Sequence, residues 1–499
     1  MREMLSGYEI AAIREQVDEQ LYAYVAAYAQ TREPQRVGFR ELCAGWPWAR
    51  RSDAYTHLLH RYPAKLLPYI PIYLLAGSLA EPNDVLLDVF AGTGTVLLES
   101  LVHPVNPRRA YGVEINPLAR LISQVKTRPL DPNRLRVAAT DLFGGIRSFS
   151  GTPASPDFPG VDFWFRPKAK RELAGVRECI IRAGLEPAHE DFFWACFSSI
   201  IRDMSRADPR VGPPVRFTMG TVKRFREDER GAMRRALRRK QRASAPTLFR
   251  QAVLRNIDRM AELWQRFGSI DARNGPVARI VWDDARLLHL APYVGKGRLD
   301  KDDAVRIQDG SIGTVITSPP YINAQKYVRT TKLELWWLDM IPASTDGLTE
   351  FARRFVGTEK VPYREYSELE LVGNDRADAV LRRIYKSSPE RSGIVSRYFR
   401  EMRRVMTEVH RVLKPGGWFV LVVGNNTVCG NVVENHRILA EMAQQDFGFS
   451  LQTILVDEIR SRGLITKRHE TAGVITDEWI LMLKKRRSAS AGPTLVSGC

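Results

Sequence analysis

Cysteine is scarce in this chain: five among 499 residues, at Cys43, Cys179, Cys196, Cys429 and Cys499, with no paired spacing. That scatter offers neither a disulfide framework nor a zinc site, and it fits a reducing, cytoplasmic setting. No apolar run is long enough to span a bilayer, and the opening Met-Arg-Glu-Met-Leu-Ser-Gly lacks the pattern of a signal peptide. Acidic side chains are in deficit, with 57 Asp and Glu against 75 Lys and Arg, which leaves a net charge of +18. An excess of that size is expected of a protein that binds a polyanion, although a basic solvated surface gives the same total. Hydrophobic content of 44% and charged content of 26% are ordinary for globular chains and exclude wholesale disorder. The length is enough for two or three structural units around a large core.

What is present is sharpest at Val315-Ile316-Thr317-Ser318-Pro319-Pro320-Tyr321. Its apolar, β-branched start reads as a short buried strand, and the two prolines stiffen the turn that follows by fixing φ and removing two backbone donors. Carbonyls in such a turn point outward with no competing N–H beside them. An exocyclic amino group on a nucleobase needs that arrangement. Its lone pair is delocalised into the ring, so the nitrogen attacks only when acceptors hold its hydrogens. The Ser318 side chain and the Pro319 carbonyl are candidate acceptors, and the Tyr321 ring is a candidate stacking surface. Read by itself, a proline pair after a strand is also a simple strand terminator.

A second signature lies upstream. Val85-Leu86-Leu87-Asp88-Val89-Phe90-Ala91-Gly92-Thr93-Gly94-Thr95 reads as a buried strand, a glycine turn and the start of a helix, the opening unit of a doubly wound sheet. Glycines there let backbone approach a ligand with no side chain in the way. The six-residue glycine pattern of dinucleotide binders is absent. The next strand, Ala110-Tyr111-Gly112-Val113-Glu114-Ile115-Asn116, brings the carboxylate Glu114 to a strand end, where a surface Glu is the plain alternative to a ligand contact. The sheet pattern then stops. From 128 to 275 the chain has proline-rich joins, a helical stretch through Phe192, Trp194, Phe197, Ile200 and Ile201, and a basic segment holding Lys223, Arg224, Arg234, Arg235, Arg238, Arg239 and Lys240. That segment reads as a separate helical subdomain whose charges neutralise phosphates, or else as a solvated helix face. The sheet pattern resumes at Ala278 to Arg286. Beyond the Ser-Pro-Pro-Tyr turn, residues 341 to 395 read as a polar, irregular lid. A long helix through Tyr398 and Leu413 then stops at Lys414-Pro415-Gly416-Gly417, before the strand Trp418 to Val423 and a last strand at Glu478 to Leu483.

The Thr317-Ser318-Pro319-Pro320-Tyr321 turn resembles the fourth motif of the amino-group DNA methyltransferases, and its Ser form is most similar to the cytosine-N4 members. Asp88-x-Phe90-x-Gly92-x-Gly94-Thr95 is similar to the first motif of S-adenosylmethionine-dependent methyltransferases, and His60 to Pro68 is similar to the family's tenth motif, with one residue more than its commoner form. The resemblance covers roughly 55 to 125 and 275 to 485. It implies an α/β Rossmann-like sheet with a large, basic, helical insertion, divided into a helical arm (1–50), a first methyltransferase part (51–127), the insertion (128–275), a second methyltransferase part (276–485) and a disordered tail (486–499).

It further implies that S-adenosyl-L-methionine is held by Lys65, Asp88, Phe90, Ala91, Gly92, Thr93, Gly94, Thr95, Glu114, Ile115, Asp284 and Ser318. Asp284 is the better match for the adenine contact, with Asp283 in reserve. Ser318, Pro319, Pro320 and Tyr321 would act on a base flipped out of duplex DNA, with no metal required. No cysteine sits in a Pro-Cys loop, which disfavours attack on cytosine C6. The expected reaction is methylation of cytosine N4 in DNA, with room for a restriction or defence partner. Adenine N6, an RNA base and a non-catalytic nucleic-acid-binding role are the alternatives, in that order.

Overall fold

Short aliphatic and β-branched runs supply the strands, and amphipathic runs supply the helices that cover them. The structure, a computed structural model, describes residues 5–49, 54–62, 66–79, 81, 83–223, 225–268, 276–289, 305–322, 327–459 and 476–487. Its strands are β1 (Gln35–Arg36), β2 (Val85–Asp88), β3 (Ala110–Val113), β4 (Ala278–Trp282), β5 (Ile312–Thr317), β6 (Leu413–Val423), β7 (Asn426–Val428), β8 (Asn431–Val433), β9 (Ser450–Glu458) and β10 (Asp477–Lys484). Eight of them form one sheet in the order β1-β9-β10-β6-β5-β2-β3-β4, and β7 and β8 pair separately as a small hairpin. In the large sheet β10 is antiparallel to both neighbours and every other pair is parallel.

This is the Rossmann-like α/β architecture expected. The chain builds outward from β2 through β3 to β4, then returns to place β5 on the other side of β2. A reversal of that kind opens a crevice beyond the carboxyl ends of β2 and β5. β5 is buried at all six positions, which explains why it carries no charged residue. Alternate residues of the central strands feed two cores on opposite faces: Ile316, Val420, Val422, Ile480 and Met482 on one, Val315, Leu421, Val423, Leu481 and Leu483 on the other. Among the described residues, no helix is long and apolar enough to cross a membrane.

Three sequence expectations need correcting. The first fifty residues do contain the expected helix, Gly7–Thr31, but they also contribute β1, which extends the sheet beside β9. The named elements described within the insertion are all helices, yet it is not a separate unit. Phe193, Phe197, Phe249 and Ile257 share one continuous core with Leu121 and Ile122 of the sheet's own layer, because the helices Pro187–Met204 and Ala245–Phe267 present apolar faces inward. Residues 341–395 are not an irregular lid. They hold helices at Thr345–Arg353 and Asp375–Ser387, and the long helix already begins at Pro389. Of the tail expected to be disordered, only Arg486 and Arg487 fall within the described residues.

Candidate active site

The ends of β2 and β5 are tied together by one buried hydroxyl. Thr317 Oγ1 donates to Asp88 Oδ1 at 2.6 Å, and the Phe90 N–H reaches both Thr317 Oγ1 (3.1 Å) and Asp88 Oδ1 (3.0 Å). The glycine loop after β2 and the proline turn after β5 are thereby fixed side by side. Burial pushes the Asp88 carboxyl up to about 7. The Thr317 and Phe90 hydrogen bonds hold it down, and the nearby Glu114 charge adds to the rise.

Glu114 closes the other side of the loop. Its Oε2 accepts the Gly92 N–H at 2.8 Å and its Oε1 accepts the Asn116 N–H at 2.7 Å. Burial raises this carboxyl above the ordinary range, opposed by the Asn116 and Gly92 N–H groups and by Arg120. Asn116 in turn caps the helix Pro117–Thr127 through Leu118 N and donates to the Tyr62 hydroxyl at 2.9 Å. The two loop glycines have different uses. A Cβ at Gly94 (φ +72°) would lie 2.3 Å from Ser123 Oγ, so that glycine is required by packing. Gly92 (φ +53°) faces open space.

A cleft opens over this arrangement. It is lined by Phe90, Gly92, Glu114, Ile115, Asp284 and Ser318 of the expected cofactor residues, with Pro320 of the expected catalytic turn. Asp88, Ala91, Thr93, Gly94 and Thr95 do not face it. They build the loop from behind, and Asp88, Ala91, Thr93 and Thr95 are buried there. Lys65 lies outside the described residues. Asp284 and Asp283 both line the cleft, but Asp284 is engaged at both oxygens by the Arg286 guanidinium (2.9 and 2.7 Å). Among the described residues, Asp283 meets the Arg354 guanidinium alone, at 3.3 Å. Of the two, Asp283 keeps more of its accepting capacity.

The proline turn is held from its far side by contacts the sequence did not single out. Asn426 Nδ2 donates to Ile322 O at 3.1 Å and is itself oriented by Asn435 at 2.7 Å. Gly357, with φ +76°, lies against the turn so closely that a Cβ would stand 3.3 Å from Tyr321 O. Pro319 is buried, and Ser318 and Tyr321 are half-buried. Burial raises the Tyr321 phenol far above its usual range; the charge of Glu478 and the neighbouring Tyr327 and Tyr398 add to this, and hydrogen bonding to Ser318 opposes it. Tyr62, Tyr327, Phe355 and Val356 also line the cleft. Of these, only Tyr62 lay in a stretch with a visible motif.

The insertion is anchored beside the turn. Arg177 Nε donates to Trp337 O (3.2 Å) and Arg202 Nη1 to Thr330 O (3.4 Å), while Phe158 stacks on Trp336 with ring centres 4.9 Å apart. All three partners lie on Tyr327–Trp337, the helix that follows Tyr321. Arg234, Arg235, Arg238 and Arg239 are exposed on the helix Glu227–Arg242. Arg235, Arg238 and Arg239 line a shallow groove with Arg242, Ser244 and Thr247. Lys223 is exposed and Arg224 lies outside the described residues. Lys240 departs from expectation. Its Nζ donates to Arg202 O at 2.7 Å, and burial lowers its pKa to about 8, so this ammonium is directed into the protein and not toward a phosphate.

Comparison with known proteins gives one consistent outcome. Residues 312–490 match the family model described as DNA methylase. The Type II methyltransferase M.MvaI of Kocuria varians is 24% identical over 455 residues, covering 86% of this chain and 91% of that protein. M.BsoBI of Geobacillus stearothermophilus is 27% identical over 177 residues, 30% of this chain and 35% of the relative. A DNA modification methylase from Thermus thermophilus, solved with S-adenosyl-L-methionine, aligns at 18% identity over 38% of this chain and 53% of that one. Its TM-score is 0.18, too low to bear on the arrangement of the site.

Proposed function

We propose that this chain, which belongs to the amino-group DNA methyltransferases, transfers a methyl group from S-adenosyl-L-methionine to the N4 amino group of cytosine in DNA. The observation that carries the proposal is the Thr317 clamp. It joins a ligand-accepting glycine loop and an amino-accepting proline turn at the mouth of a single cleft.

The residues fit the cofactor. Both Glu114 oxygens keep a lone pair beyond their backbone bonds, which suits a vicinal diol. The open space above Gly92 admits a ligand against backbone, and Asp283 can accept from an adenine amino group. When bound, S-adenosyl-L-methionine supplies an electrophilic methyl on a sulfonium. The chain's own part is alignment and polarisation. Ser318 and the Pro319 carbonyl take the hydrogens of the amino group, which keeps the nitrogen lone pair available, and the Tyr321 ring stacks on the extruded base. The exposed arginines of Glu227–Arg242 neutralise phosphates on a surface tied to the helix that follows the turn.

Ser318, where an Asp or Asn would suit adenine N6, favours cytosine. A restriction partner belongs to the same reading, by likeness to the Type II relatives. The test is incubation with labelled S-adenosyl-L-methionine and either DNA or RNA, followed by digestion to nucleosides. Label in N4-methylcytosine from DNA is the expected result. Label in N6-methyladenine, or only in RNA, would overturn the base or the polymer assignment.

A further inference from the structure

The helix that carries the exposed arginines, Glu227–Arg242, packs on a small core of its own. Phe217, Val222 and Leu237 form that cluster, apart from the two cores that flank the sheet, so it does not fix the direction of the helix relative to the cleft. Polar ties do that, and those from both ends of the helix converge on Arg202. Near the carboxyl end, Lys240 Nζ donates to Arg202 O at 2.7 Å. At the amino end, the Arg210 guanidinium lies over the ring of Phe225, 4.0 Å from its centre, two residues before the helix begins. Asp208 holds the Arg210 fork, its Oδ1 accepting from Nε at 2.9 Å and its Oδ2 from Nη2 at 2.5 Å.

Asp208 is buried in a closed ribbon, where its own N–H donates to Val215 O at 2.7 Å and the Phe217 N–H donates to Arg206 O at 2.8 Å. The carbonyls of Asp208 and Val211 both accept from Arg202 Nη2, the first at 3.2 Å. Nη1, the other terminal nitrogen, donates to Thr330 O on Tyr327–Trp337 at 3.4 Å. The ribbon itself lies against that residue, since a Cβ at Gly212 would stand 3.7 Å from Thr330 Oγ1. Tyr327, three residues earlier, lines the cleft.

We propose that Arg202 is a positioning residue for methyl transfer to DNA: its guanidinium locks the phosphate-binding face of Glu227–Arg242 to the helix after the Ser-Pro-Pro-Tyr turn, so that a docked duplex and the cleft keep one register. The inference rests on the methyltransferase reading given above and on the phosphate role of the arginines. An extruded base meets the cofactor's methyl only when the duplex is held at one distance and angle from the cleft, and a misplacement of about 1 Å can cost on the order of 100-fold in rate. Arginine suits this task better than lysine, because its planar fork serves carbonyls on two separate segments at once. The ties from Arg177, on Pro167–Arg182, and from Phe158 secure the body of the insertion to Tyr327–Trp337, and they leave the aim of the arginine helix to Arg202.

The experiment crosses Arg202→Met with the fourfold exchange of Arg234, Arg235, Arg238 and Arg239 for Gln. Single-turnover methylation at saturating duplex DNA, DNA affinity across salt, and calorimetric affinity for S-adenosyl-L-methionine are measured on wild type, each variant and the combination. Arg202→Met leaves every phosphate-facing arginine in place. It should keep the salt slope, hold both affinities within about threefold and slow methylation at least about tenfold. In the fourfold background the same substitution should cost less than about twofold, because no docked phosphate remains to be aligned, and residues that act as one unit are non-additive. An equal loss of rate in both backgrounds would overturn the proposal, since Arg202 would then act on the catalytic helix alone. So would a wild-type rate in Arg202→Met, a parallel loss of rate and both affinities, or a fourfold variant with an unaltered salt slope. Should Arg202→Met not fold, Lys240→Met and Arg210→Lys, each cutting the tie at one end, decide the matter by the same cycle. A wild-type protein that methylates no nucleic acid would refute the methyltransferase reading and the positioning role with it. An active wild type with additive variants refutes the positioning role alone.

Discussion

Replacing Thr317 by Val removes one hydroxyl from the joint between the two halves of the cleft and leaves the volume nearly unchanged, so no cavity confuses the result. The lost hydroxyl donated to Asp88 at 2.6 Å and accepted from Phe90 N at 3.1 Å, but Phe90 N retains its bond to Asp88 at 3.0 Å. The penalty therefore falls on Asp88. When that buried carboxyl is ionised it loses a hydrogen bond to a charged group, worth about 1.5–3 kcal/mol; when protonated it loses an ordinary one, about 0.5–1.5 kcal/mol. The folded-state pKa of about 7 lies above the usual 3.8, so the native state keeps the proton between those values. Stability from this group is full below the lower value and falls as pH rises through the upper one.

Urea melts of wild type and Thr317→Val should consequently differ by about 2 kcal/mol near pH 8 and by about 1 kcal/mol near pH 5.5. Cofactor affinity should weaken alongside, since Phe90 and Gly92 follow directly from the loosened strand end. Equal losses at both pH values, or none at the higher one, would refute the assignment of Thr317 as the clamp on an ionisable Asp88.

Tyr321→Ala should reduce turnover severely while calorimetric cofactor binding stays near wild type; parallel loss of both would make the ring structural. Exchanging Arg234, Arg235, Arg238 and Arg239 for Gln should flatten the salt dependence of DNA affinity by about 0.9 in log–log slope per phosphate contact removed. Lys240→Gln, at an ammonium turned inward, should leave the slope alone. Both variants are read by fluorescence anisotropy, and an unaltered slope in the quadruple variant would take this helix out of the interface. Gly357→Ala places a side chain at φ +76° and 3.3 Å from Tyr321 O, so thermal melts should show a loss of about 1–3 kcal/mol together with slower methylation. A variant as stable and active as wild type would mean the turn does not depend on that contact.

The readable parts of the chain were those where local chemistry and tertiary role coincide. β5 carries no charged residue because both its faces are covered, and the prolines after it punctuate the turn in the sequence as they do in space. Glu114 could be picked out because a carboxylate directly after an apolar strand needs a reason. Lys240 was misread although the signal existed: Met233, Ala236, Leu237 and Lys240 recur at helical spacing, and Leu237 is the buried member of that face. Treating the segment as a run of charge hid the periodicity.

The helix Asp375–Ser387 was missed for a similar reason. Ala377, Val380, Leu381 and Ile384 form its apolar stripe, while Asp375, Arg376, Arg382 and Arg383 lower the average enough to suggest a loop. β1 has two residues and no pattern of its own, and exists only because β9 offers it an edge. Asn426 and Gly357 meet the turn from distant parts of the chain, and no local rule points to such a meeting. The competition of Arg286 for Asp284 was closer to hand, an arginine two residues on, but only the folded geometry shows both carboxylate oxygens engaged.

The most direct test of the central claim is a crystal structure with S-adenosylhomocysteine bound. The account requires its ribose hydroxyls on Glu114, and its sulfur between the Gly92 loop and the Ser318–Pro320 turn. A ligand held elsewhere, or one whose sulfur faces away from Ser318, would contradict it.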